Sequence, residues 1–199
     1  MRQKVSFLLR TTLRPLILLV SVSAGGAVLA SSTPSAMQVA SPSASPAPAD
    51  TLVAAVVKTA NAGGKVVLIE FGASWCVWCT RFQNFIHEPE VAPIIARNFD
   101  VLTLTVEERE EKVALENPGG GQLKTNWGGA KAGLPFYVFL DGAGKKIGDS
   151  NAMADGSNIG FPATPEEITR FVSLVERTAP RFSPADRTVF LKYLKPIAP

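Results

Sequence analysis

The only two cysteines of the 199-residue chain, Cys76 and Cys79, stand three apart, between two kinds of periodicity. Before them, residues 65–71 form an apolar, β-branched run. After them, Phe82, Phe85 and Ile86 recur at the spacing of a helix face. The pair therefore falls where a buried strand turns into a helix. Its first member lies at a helix N-terminus, where unpaired N–H groups and the helix dipole favour a thiolate. A thiolate is the attacking species in thiol–disulfide exchange, and a thiol three residues on can resolve the mixed disulfide. The same argument makes Cys76 the exposed, more acidic thiol and Cys79 the buried one. Two cysteines make no structural disulfide framework, so the pair is either chemical in purpose or incidental.

Far downstream, Gly133-Leu134-Pro135-Phe136-Tyr137-Val138-Phe139-Leu140-Asp141-Gly142 is a Gly-apolar-Pro segment leading into an apolar run and a turn. Together with Trp75-Cys76-x-x-Cys79 after a strand ending in Glu70-Phe71, it resembles the active site of the thioredoxin superfamily, over roughly residues 53–175. The order of parts matches as well: strand, cysteine pair, helix, strand, proline segment, strand, glycine turn, strand, helix. The resemblance implies a thioredoxin-like α/β fold with a central mixed β-sheet flanked by helices. It implies that Cys76 attacks, that Cys79 resolves, and that Leu134–Pro135 is a cis peptide beside them. Trp75, Leu134 and Pro135 would then shape the groove that receives a substrate. In thioredoxins an acidic residue six positions before the first cysteine lies behind the disulfide and is thought to relay a proton to the second. Glu70 stands at that spacing, with a longer side chain than the family's usual Asp. The structural alternative is a carboxylate whose tip escapes to solvent or pairs with a lysine, because an unpaired buried charge is costly.

Residues 1–30 read as a secretory signal peptide. Arg2, Lys4, Arg10 and Arg14 form a basic region, residues 16–30 an apolar stretch, and Val28-Leu29-Ala30 a cleavage site before Ser31. An uncleaved membrane anchor is the alternative, but the stretch is short and diluted by Ser21, Ser23, Gly25 and Gly26. After processing, no stable membrane insertion is expected. Export implies an oxidising compartment, periplasmic or secreted. The net charge of +3 is largely the signal's, since its loss leaves 16 basic against 17 acidic residues. No basic patch carries interleaved aromatics, so nucleic acid is not an expected partner.

Residues 31–49, rich in Ser, Pro and Ala, read as a flexible linker, and 50–199 as the thioredoxin-like domain. Asp50 is placed as the cap of a helix running to Ala60. Residues 101–106 alternate as a strand, and 136–140 with 145–147 as a hairpin. The acidic run Glu107, Glu108, Glu110 and Glu111 opens a segment, 107–131, beyond a minimal thioredoxin. It is either a solvated helix and loop or an insertion shaping partner access, with Trp127 as a contact. Thr164-Pro165-Glu166-Glu167 and Ser183-Pro184-Ala185-Asp186 are helix starts, the second opening an extra C-terminal helix that packs on the domain or on a partner.

Three functions fit these residues. The first is a thiol–disulfide oxidoreductase acting on cysteine-containing exported proteins. The second is a non-catalytic binding or assembly module that uses the same groove. The third is part of a metal site, but structural zinc takes four ligands and the chain offers Cys76, Cys79 and a poorly placed His87. The expectation is the first, with no metal and no cofactor. Val77-Trp78 matches neither the Gly-Pro of cytosolic thioredoxins nor the Pro-His of strong periplasmic oxidants. With no basic residue beside Cys76, the expected direction is reduction or isomerisation, and outside the cytoplasm that requires a redox partner in the membrane.

Overall fold

The computed structural model describes residues 45–197. The expected signal segment and most of the expected linker lie outside the described residues. Among the described residues, no helix is long and apolar enough to cross a membrane.

The sheet is built on β1 (Val66–Gly72), buried at all seven positions. Such a strand has no solvent face, which accounts for its nearly unbroken apolar sequence. It pairs in parallel with β2 (Phe99–Thr105) and antiparallel with β3 (Phe136–Leu140), and β4 (Lys146–Asp149) closes the order β2-β1-β3-β4. The parallel pair needs a crossover, and α2 (Val77–Ile86) with α3 (Ala92–Asn98) supplies it.

Alternate β1 side chains enter two cores. Val67, Ile69 and Phe71 pack under α1 (Ala49–Gly63) with Leu104, Phe136 and Val138. Val66 and Leu68 face the larger core, where Phe82 of α2 stacks on Tyr137 at 5.1 Å. Period-two alternation therefore sends Glu70 into this larger core.

Helix α5 (Pro165–Thr178) covers that side through Ile168, Phe171, Val172 and Val175, the face read from the sequence. The expected capping box forms in both directions between Thr164 and Glu167. Helix α6 (Pro184–Tyr193) starts from the reciprocal pair Ser183 and Asp186. Its Phe190 is fully buried against Phe85, Phe171 and Phe182, so this extra helix packs on the domain.

Helix α1 begins earlier than expected. Pro48 takes the cap position, Asp50 lies in the first turn, and the Ala49 N–H donates to Pro118 O at 2.9 Å. A loop carbonyl thus replaces the side-chain cap. Ala49 is fully buried, which places the end of the expected linker inside the fold. The helix ends at Gly64, whose φ of 60° suits the left-handed region.

Candidate redox site

The end of β1 and the start of α2 bring the cysteines together as a disulfide. Cys76 is the N-cap of α2, and its sulfur accepts the Cys79 N–H at 3.0 Å. An N–H aimed at that sulfur stabilises negative charge on it once the disulfide opens. The expected exposure of Cys76 is corrected, because in the disulfide both cysteines are buried, at 3% and 6% exposed. A helix start orients the N–H groups around a sulfur but does not decide what lies over it.

Glu70 is fully buried on the central strand, so its tip does not reach solvent. Among the described residues, no lysine pairs with it. Gln83 Nε2 donates to Oε2, and Thr103 Oγ1 donates to the same oxygen at 3.4 Å. Oε1 has no partner. Burial pushes the carboxyl up to about 7, against the opposing pull of the Gln83 and Thr103 hydrogen bonds and the His87 charge. The free oxygen and the second cysteine meet at Gly72. A Cβ built there would lie 3.4 Å from Cys79 Sγ and 3.7 Å from Glu70 Oε1. The three residues line one cleft of about 500 Å³ with Gln83, Thr103 and Glu108.

Residues 107–131 brace this site. Glu108, nearly buried, accepts from Ser74 N at 2.6 Å and from Ser74 Oγ at 2.8 Å. Trp75 Nε1 donates to Glu107 O at 2.7 Å, and the Arg109 guanidinium lies 4.0 Å over the Trp75 ring. Trp127, the contact in one of the two readings of this segment, is partly buried, its ring packed edge-on against Phe71 beside the second core. Sequence reading missed Glu108, since a run of glutamates reads as a solvated face.

Leu134–Pro135 is cis, as expected. Leu134 lines a groove of about 880 Å³ together with Trp78, Lys131, Gly133, Asn158 and Phe161. Trp78 stacks on Phe161 at 6.2 Å and carries Arg81 over its ring at 4.9 Å. Trp75 faces the 107–109 side instead. His87 ends α2, with Nδ1 2.7 Å from Gln83 O. Among the described residues, no three metal-ligating side chains cluster.

A disulfide at a helix N-cap, with a buried carboxyl close by on the central strand of a mixed sheet, is a site equipped for thiol–disulfide exchange. Residues 49–142 match the family model described as thioredoxin-like. No curated protein sequence matches the chain. Among solved structures it is similar to a disulphide isomerase from Xylella fastidiosa Temecula1 (22% identity, 55% of this chain and 80% of that one, TM-score 0.45). It is also similar to a DsbH oxidoreductase (18%, 62% and 81%, TM-score 0.43). A third is the oxidised C-terminal domain of DsbD from Neisseria meningitidis (20%, 52% and 84%, TM-score 0.37).

Proposed function

We propose that the chain reduces or isomerises disulfides of cysteine-containing exported proteins, and is itself returned to the dithiol by a redox partner in the membrane. The observation that carries the reading is the meeting of Cys79 Sγ and the unpartnered Glu70 Oε1 at Gly72. A carboxyl held near pH 7 beside the second cysteine is matched to accepting and returning one proton at working pH.

The proposed cycle uses these positions. The Cys76 thiolate, supported by the Cys79 N–H, attacks one sulfur of a substrate disulfide and releases the other as a thiolate. Glu70 takes the Cys79 proton, and the Cys79 thiolate attacks Cys76 Sγ. The substrate leaves with both electrons and the Cys76–Cys79 disulfide forms. A membrane dithiol then supplies two electrons by the reverse exchange. The substrate lies extended in the groove beside Trp78, against the Leu134 backbone, with Pro135 behind it and Trp75 bordering the opposite side.

Export rests on residues 1–30 and places the mature start near Ser31, followed by a linker to about residue 49. N-terminal sequencing of the protein from its native compartment tests this, and an intact Met1 contradicts it. For the chemistry, the purified domain is expected to reduce a protein disulfide in the presence of a dithiol, with Cys76→Ser inactive. The proposed direction requires a reduction potential below that of strong oxidants, which lie near about −120 mV. A potential at that level overturns the direction.

A further inference from the structure

The turn that leads into β3 has its carbonyls held unequally. Lys124 Nζ donates to Ala132 O at 2.7 Å. Asn158 Nδ2 donates to Gly133 O at 2.9 Å and to Pro135 O at 3.1 Å. Among the described residues, Leu134 N–H and C=O make no hydrogen bond. Two side chains from outside the turn thus take each neighbouring carbonyl and leave the Leu134 pair free.

The Asn158 amide has two N–H donors, and both are engaged. Its orientation is fixed by chemistry, since the flipped amide would set an oxygen against two carbonyl oxygens. Its position is fixed by the loop after β4. Ser150 N donates to Tyr137 O at 2.9 Å, and Ile159 N donates back to Ser150 O at 2.8 Å. The excursion between them is tightened by Asp155 Oδ1, which accepts from Ser157 N and Oγ. Asn158 and Leu134 line the same groove as Trp78, which lies between the cysteines.

We infer that Asn158 is a positioning residue for polypeptide substrates, holding the turn so that Leu134 presents its free N–H and C=O to an extended chain. The inference rests on the docking role proposed above for Leu134. A disulfide without a peptide strand cannot use those groups, and its reaction does not depend on Asn158.

The test uses the full chain with Asn158→Ala and Asn158→Asp. The second is the same size and turns acceptors toward the two carbonyls. Each is assayed with a disulfide-bonded polypeptide and with a small aromatic disulfide, and its reduction potential is measured. The expected result is a KM for the polypeptide raised about three- to tenfold in Asn158→Ala and further in Asn158→Asp, the range of one or two hydrogen bonds. The kcat, the small-disulfide rate and the potential stay at wild-type values. An unchanged polypeptide KM in the folded variants overturns the inference. So does a parallel loss with both substrates, which marks a merely structural residue. A wild-type chain inert toward both substrates contradicts the oxidoreductase reading itself, whereas an active wild type matched by its variants contradicts only the role of Asn158.

Discussion

Cys79 Sγ and Glu70 Oε1 both border the place where a side chain on Gly72 would stand, 3.4 Å and 3.7 Å from its Cβ. Strand β1 thereby brings a buried carboxyl and the second cysteine to the two sides of one glycine. The other carboxyl oxygen, Oε2, accepts from Gln83 and Thr103. Burial of the carboxyl costs the fold, the proposed cycle gives it a part in the reaction, and the two can be measured separately.

Glu70→Gln is expected to raise stability and lower turnover. The folded value of about 7 lies above the ordinary 4.5, so between those pH values the native state binds the proton more tightly than the unfolded chain. Stability then falls as pH rises through that window, by roughly 3 kcal/mol in all at 1.36 kcal/mol per pH unit. Denaturant midpoints of the variant and the wild type should show their smallest difference below pH 4.5. The variant's advantage should grow to its full value by about pH 8. Resolution of a mixed disulfide by Cys79 should slow on the order of 100-fold, the usual scale of a lost general base. A stability difference that does not vary with pH contradicts the assignment.

Gly72→Ala separates space from charge. Its Cβ makes ordinary van der Waals contacts, the closest at 3.4 Å, so the substitution fits. Alanine in a strand is favoured over glycine by about 0.5–1 kcal/mol. The variant should be as stable as the wild type or more so, yet resolve mixed disulfides more slowly, because a methyl group now separates thiol from carboxyl. Unchanged single-turnover kinetics would show that the proton leaves Cys79 by another route.

Glu108→Ala tests the brace on the cysteine loop. The variant removes the acceptor of two Ser74 hydrogen bonds, and because Ser74 is exposed and water can replace the carboxylate, the loss costs about 0.5–1.5 kcal/mol. A lowered melting temperature is expected, with faster amide exchange at Ser74 and Trp75 than in the wild type. Wild-type exchange at both positions contradicts the bracing role.

Much of this was legible in the sequence for local reasons. The cysteine pair, the Leu134–Pro135 turn and the Thr164 capping box are short patterns whose geometry follows from neighbouring residues. Glu70 was legible because a carboxyl in an apolar strand has few places to go. Glu108, Lys124 and Asn158 were not, because their partners lie elsewhere in the chain and include backbone groups that no residue type marks. Glu108 reaches Ser74 across 34 positions, and Asn158 reaches Gly133 across 25. Trp127 was left open for a related reason: nothing near it in the sequence marks Phe71 as the ring it packs against.

The central claim is that Cys76 carries the substrate and Cys79 releases it, and trapping with Cys79→Ser in the native compartment measures this most directly. The substitution keeps the attacking sulfur and removes the resolving one. The account predicts covalent complexes with cysteine-containing proteins that dissolve in reducing agent and are missing from Cys76→Ser. Identical non-covalent partners for the wild type and both variants, with no covalent complex in any of them, would contradict it and leave a binding module in its place.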